Sequence, residues 1–174
     1  MGEILKKRLK MSRFESPAQE ALLALMVAAS ELRANMDRTL SEAGASMGAH
    51  AGGGAGITGE QFNILRILHG ARESGGHPCG EIGERMIDRS PDITRRIDTL
   101  EKQGYVERER SDEDKRVIIV RITKKGEDLL DSITPKLLAF QNELTANLSE
   151  QELHQLSALC ERLIQRPNSE NGPS

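Results

Sequence analysis

One run, residues 90–123 (SPDITRRIDTLEKQGYVERERSDEDKRVIIVRIT), constrains this chain more than any other. Its first half is patterned as a helix. Ser90 suits the N-cap and Pro91 the first helical position, where a missing N–H costs nothing. Ile93, Ile97 and Leu100 recur at three- and four-residue spacing, so at about 100° per residue they form one buried stripe. The same wheel turns Pro91, Arg95, Asp98, Thr99 and Lys102 outward, with Arg95 nearest the middle of that face. Gly104 supplies the positive-φ residue that stops the helix. Tyr105-Val106 then begins a strand. Ile118, Val120 and Ile122 alternate with Val117, Ile119 and Arg121, the period of a second strand. The polar segment Ser111-Asp112-Glu113-Asp114-Lys115-Arg116 turns between the two.

A helix with an arginine on its outer face, beside a hairpin with a basic tip, is laid out as a winged helix-turn-helix. Such a unit sets its helix in the major groove and its hairpin on the flanking backbone or minor groove. The motifs resemble those of the MarR (multiple antibiotic resistance regulator) family of bacterial transcription factors. The resemblance rests on Ile82-Gly83-Glu84-Arg85-Met86 and Ser90-Pro91-Asp92-Ile93-Thr94-Arg95. It continues through Leu100-Glu101-Lys102-Gln103-Gly104-Tyr105-Val106-Glu107-Arg108, Asp114-Lys115-Arg116 and Val120-Arg121-Ile122-Thr123-Lys124-Lys125-Gly126, all in the family's order. It implies a mainly α fold with a small β-hairpin wing, flanked by N- and C-terminal dimerisation helices. The implied function is that of a dimeric repressor that binds double-stranded DNA and is released when a small-molecule inducer enters the cleft between the dimer helices and the winged domain.

Composition sets the outer limits. At 174 residues the chain suits one domain with helical extensions and can bury about 70% of its unfolded surface. The formal net charge of −3 argues against a nucleic-acid protein. Phosphates, however, respond to charge within a Debye length of about 8 Å, so the distribution matters more than the total. The acidic residues of the hairpin, Glu107, Glu109, Asp112, Glu113 and Asp114, are the harder objection. They must pair with Arg108, Arg110 and Arg116 or face away from a duplex. Cys79 and Cys160 are too far apart in sequence for a disulfide framework or zinc pattern, and the dispersed histidines form no ligand cluster, so no metal or cofactor is expected. With no long apolar run and no signal-peptide core, a cytoplasmic protein without membrane attachment is expected. Three Phe and one Tyr are too few for a base-stacking platform for single strands.

The chain divides into an N-terminal arm and helix (1–43), a Gly/Ala-rich loop (44–57), the winged unit (58–123), C-terminal helices (124–166) and a disordered tail (167–174). The basic arm, with Lys6, Lys7, Arg8, Lys10 and Arg13, either touches DNA backbone or is a frayed or dimer-packed terminus. Capping boxes start at Ser16, Thr58 and Ser149. The loop GASMGAHAGGGAG lacks a phosphate-binding glycine pattern and reads as mobile. Thr123 caps a helix reaching about Leu148, and because Pro135 lies inside it a kink or break is expected near Thr134. The apolar ends of the chain suit a twofold pair that reads a pseudo-palindromic operator with half-sites about 10 base pairs apart or a multiple of it. The alternative is that they pack only within one chain.

The candidate DNA-binding residues are Ser90, Pro91, Asp92, Thr94, Arg95, Thr99, Asp114 and Arg116. Arg95 matches guanine O6 and N7 in a bidentate manner; its plainer role is a phosphate contact or a pair with Asp98. Ser90 and Thr94 can donate to a phosphate or base edge, though an N-cap also explains Ser90. Pro91 and Asp92 stand where a thymine methyl or cytosine amino group is read. Lys102 reads as a solvated charge. For Arg116 the resemblance implies insertion at the wing tip with Asp114 bracing its guanidinium, against a surface ion pair of little worth. Cys79, at a helix start, is either a redox-sensitive thiol or a packing residue. Two further classes compete with a regulator of DNA. A winged-helix module docking a protein partner takes the acidic hairpin as its clue; an enzyme has no catalytic constellation behind it.

Overall fold

The computed structural model describes residues 2–48, 57–87 and 92–165. Two compact units divide the chain, residues 1–137 and 138–174. In the first, α1 (Glu3–Leu9) precedes the long α2 (Pro17–Gly48), then α3 (Gly59–Gly70), β1 (His77–Pro78), α4 (Cys79–Arg85), α5 (Ile93–Lys102), β2 (Val106–Arg110) and β3 (Ile118–Ile122). Then α6 (Lys124–Leu144) runs on into the second unit, which also holds α7 (Glu150–Ile164).

The helix starts follow local chemistry. Thr58 and Gln61 cap α3 reciprocally, and Ser149 and Glu152 do the same for α7. The Ser149 amide and hydroxyl hold the Glu152 carboxyl below its ordinary range. At α2, Ser16 Oγ accepts the Gln19 amide at 3.1 Å while Gln19 Oε1 accepts from the amide of Glu15 at 2.7 Å. α5 ends in a Schellman turn: Gly104 has φ 76°, its amide reaches the Glu101 carbonyl at 2.8 Å, and the Tyr105 amide reaches Leu100 at 2.9 Å.

One core joins these elements. Ile64, Leu65 and Leu68 from α3, Ile82 from α4, Ile97 and Leu100 from α5, Val120 from β3 and Ile133 from α6 are all fully buried. The recognition-type helix α5 therefore hangs on the stripe read from its spacing, with Ile93 packed at its edge. Ile118, at the far end of its alternating set, is exposed where the hairpin leaves the core.

Four expectations need correction. The wing is not an isolated hairpin: β1 adds to it in the order β1-β3-β2, with His77 opposite Val120 and Pro78 opposite Ile119. Gly76, at φ 94°, makes this possible, because a Cβ there would lie 2.3 Å from the Val120 carbonyl oxygen. Next, α2 continues to Gly48, into the stretch read as loop, although each glycine there costs a helix roughly 1 kcal/mol relative to alanine. Third, α6 passes through Pro135 without a break and ends at Leu144. The Thr134 hydroxyl donates to the Leu130 carbonyl at 2.7 Å in the turn before the proline, and the bond that Pro135 cannot make is the one to the Asp131 carbonyl. Finally, α5 begins at Ile93 with Asp92 at its N-cap position, later than a start at Ser90 and Pro91. Ser90, Pro91 and the turn Asp88-Arg89 lie outside the described residues, as do most of the Gly/Ala loop and the tail.

The N-terminal arm is helical rather than extended. Leu5 is buried, Arg8 pairs with Glu31 of α2, and Lys6 bonds Glu3 at 2.9 Å. No helix among the described residues is long and apolar enough to cross a membrane.

Candidate nucleic-acid interface

The outward face of α5 carries Thr94, Arg95 and Thr99, all exposed. The Arg95 side chain is 81% exposed, so burial of Ile97 and Leu100 on one side does point it to solvent on the other. Its Nε donates to Asp92 Oδ2 at 2.7 Å. The pairing with Asp98 is not formed, because Asp98 faces β2 and holds Arg108 Nη2 at 2.6 Å. The contact is made through Nε, and neither terminal nitrogen of Arg95 makes a hydrogen bond within the described residues, which leaves both for bidentate recognition of guanine. Thr99 donates its hydroxyl to the Arg95 carbonyl at 3.0 Å, which leaves an acceptor rather than a donor for any outside partner. Asp92 is half-buried at the leading end of the helix.

The wing tip is shaped by its own acids. Ser111 Oγ accepts the amides of Glu113 and Asp114 at 3.2 and 3.4 Å, and Asp112 holds Lys115 at 2.9 Å. Asp114 Oδ1 accepts the Arg116 main-chain amide at 2.9 Å. Asp114 thus braces the backbone of the turn and not the guanidinium of Arg116, since a carboxylate two residues upstream in a tight turn meets the amide first. Further down, Glu109 pairs with Arg121, whose Nε also donates to the Gly75 carbonyl at 2.7 Å. Among the described residues the exposed Arg110 and Arg116 side chains have no hydrogen-bond or ion-pair partner within the protein. Three hairpin acids, Glu109, Asp112 and Asp114, are thus held within the hairpin, while Glu107 and Glu113 are exposed beside the projecting Arg110 and Arg116.

Arg108 is the residue of interest that sequence reasoning misses. Only 24% exposed, it lies between β2 and α5, bonding Asp98, Glu101 at 2.9 Å and the Thr94 carbonyl at 3.4 Å. Its signal is its position in a strand that follows a helix bearing acids, legible only once the two elements are seen side by side.

A cavity of about 290 Å³ opens between α2, α3 and the chain just after α4. Leu32, Met36, Met86 and Ile87 give it apolar walls, and Arg33, Asp37, Glu60 and Asn63 give it polar ones. Asn63 is buried and satisfied, taking Arg66 Nη2 at 2.9 Å and reaching the Met86 sulfur at 3.6 Å. Cys79 packs half-buried against the core and Cys160 is half-buried on α7. Among the described residues there is no cluster of His, Cys, Asp and Glu that suits a metal.

The second unit is apolar on its surface. Leu156, Leu159 and Leu163 are each half exposed or more, α7 buries none of its residues, and Leu138, Leu144 and Leu148 are also exposed. In the first unit the same is true of Leu22, Leu25, Met26 and Leu32 on α2.

A helix anchored through Ile97 and Leu100, followed by a hairpin that ends in free arginines, defines the winged-helix class of DNA-binding folds. The sequence matches the model of the MarR family over residues 57–118. It is 32% identical to the HTH-type transcriptional regulator MhqR of Bacillus subtilis (strain 168) over 108 residues, 62% of this chain and 72% of that protein. The fold is similar to that of the S. aureus MepR–DNA complex, with a TM-score of 0.67 and 19% identity, covering 86% of this chain and 97% of that one. It is also similar to the transcriptional repressor CouR bound to a 23-mer DNA duplex, with a TM-score of 0.68 and 22% identity over 82% and 91% of the two chains. The chain belongs to the MarR family.

Proposed function

We infer that this chain is a dimeric, sequence-specific regulator of transcription that binds double-stranded DNA, acts as a repressor and is relieved by a small molecule. It is a regulator rather than an enzyme, and works in the cytoplasm. The observation that carries the reading is the exposed Arg95 on a core-anchored helix, beside a wing whose Glu109, Asp112 and Asp114 are engaged internally and whose Arg110 and Arg116 are free. The engagement of Glu109, Asp112 and Asp114 weakens the support for a protein-docking module, because it leaves Glu107 and Glu113 as the hairpin's open acids beside two free arginines.

In this reading Thr94 and Arg95 face the major groove, Asp92 stands at the leading end of the helix, and Arg116 reaches the minor groove or flanking backbone. Thr99 accepts rather than donates, and Asp114 holds the wing turn in shape. Ser90 and Pro91, which lie outside the described residues, stay candidate DNA-binding residues on the sequence alone. The exposed apolar faces of α2, the end of α6, and α7 suit a twofold pair, which places two such helices on one side of a duplex. The cavity beside Met86 and Ile87 suits a partly apolar inducer, because its occupant touches the chain ahead of α5. Such a ligand acts only through a difference in affinity for two arrangements of the protein.

Selection of bound fragments from a pool of random duplexes tests the reading directly. An enriched inverted repeat supports it; a pool with no enrichment and an affinity insensitive to salt removes it. On the enriched site, Arg95→Ala is expected to cost about 1–3 kcal/mol and to relax preference at one base position per half-site. Repeating the selection with the variant checks this, and an unaltered preference would mean that α5 is turned differently on the duplex. Arg116→Ala is expected to weaken binding to all sequences alike and to flatten the log–log salt dependence by about 0.9 for each phosphate left unneutralised. Titrations at several salt concentrations read the slope; a loss confined to one sequence would instead assign Arg116 to base reading.

A further inference from the structure

Arg108 is a guanidinium on the wing strand β2 with every observed contact on α5: Asp98 Oδ1 at 2.6 Å, Glu101 Oε2 at 2.9 Å and the Thr94 carbonyl at 3.4 Å. These three acceptors span two turns of the helix. A planar fork that reaches all of them restrains both the rotation of α5 about its axis and its tilt against the strand, which a single point charge does not do. The Thr94 carbonyl lies next to Arg95 in sequence, so the restraint acts on the helical turn that projects the base-reading side chain.

We propose that Arg108 is a positioning residue for sequence recognition: it locks the recognition helix to the wing so that Arg95 and Arg116 meet one duplex in register. The proposal rests on the DNA-binding reading above. Arg108 contributes no base contact, being largely enclosed between the two elements. Its loss is therefore felt in the ratio of specific to non-specific affinity. Asp98 and Glu101, although acidic residues on the helix that faces the duplex, support recognition by the same logic, because they are the other half of the lock.

That last point separates positioning from plain electrostatics by sign. In Asp98→Asn/Glu101→Gln two negative charges leave the neighbourhood of the phosphates. Charge alone strengthens binding to every sequence. The lock predicts the opposite for discrimination: affinity for a scrambled duplex rises, while preference for the enriched inverted repeat over that duplex falls by about tenfold. Arg108→Lys, which keeps the charge but not the fork, is expected to lower the same preference with little change in Tm. Both variants are compared with the wild type by titration on the two duplexes, with thermal unfolding to confirm the fold. The proposal is overturned if the double variant gains affinity for both duplexes in parallel, or if Arg108→Lys keeps the wild-type preference. The wild type is read first: if it shows no preference for any duplex, the DNA-binding reading has failed, whereas a selective wild type with variants of unchanged preference fails the lock alone.

Discussion

Leu159→Glu is expected to leave the fold of each protomer intact and yet to lower affinity for a full inverted repeat by about a hundredfold or more. Leu156, Leu159 and Leu163 lie along one stripe of α7, with exposures of 50%, 54% and 56%. Covering a leucine side chain completely is worth about 1.5–3 kcal/mol, so a stripe of this kind is a strong drive to associate, and a carboxylate placed in it opposes association. The monomer loses nothing comparable, because the residue is already exposed. DNA binding suffers because a second half-site bound by a joined partner is met at high effective concentration, a gain of about 10²–10⁴ that separate protomers forfeit. Sedimentation of wild type and variant, with titrations on full-site and half-site duplexes, checks both parts. A variant that remains dimeric would place the dimer surface elsewhere, and a monomeric wild type with full affinity would remove the twofold pair.

Ile97→Ala is expected to cost about 2–5 kcal/mol of folding stability, the range for removing a large aliphatic side chain from a core that does not collapse around the gap. Ile97 is fully buried in a cluster with Ile82, Leu100 and Val106, and Ile97 and Leu100 are the two residues of α5 enclosed to that degree. The cavity therefore opens beneath the attachment of the recognition helix. Urea unfolding of the two proteins gives the difference directly. A cost below about 0.5 kcal/mol, the range of ordinary surface substitutions, would mean that Ile97 does not anchor the helix.

What is legible in the sequence is what depends on neighbours in the chain. The stripe of Ile93, Ile97 and Leu100, the stop at Gly104, and the boxes at Thr58 and Ser149 are each encoded within a few residues, and each is found in place. The strand at His77 and Pro78 is not legible, since two residues carry no period and their pairing with Val120 and Ile119 depends on chain far downstream. Arg95 has two carboxylates at three-residue spacing, Asp92 and Asp98. Only the presence of Arg108 across the groove decides between them, because Asp98 turns toward it. Spacing puts Asp114 on the correct turn but on the wrong atoms of Arg116, because it does not distinguish side chain from main chain. The end of α2 is misread for a different cause: glycine content marks a loop by composition, whereas Ala45, Ser46 and Met47 separate Gly44 from Gly48 and the helix runs on as far as Gly48.

The short strand β1 has a mechanical corollary. It is covalently continuous with α4 and hydrogen-bonded to β3, so the supporting helix is tied to the wing through the sheet as well as through the core in which α5 buries Ile97 and Leu100. An effector bound beside this tie meets a helix and a wing that shift together, so within the proposed twofold pair the coordinate it acts on is the swing of one whole head relative to the other.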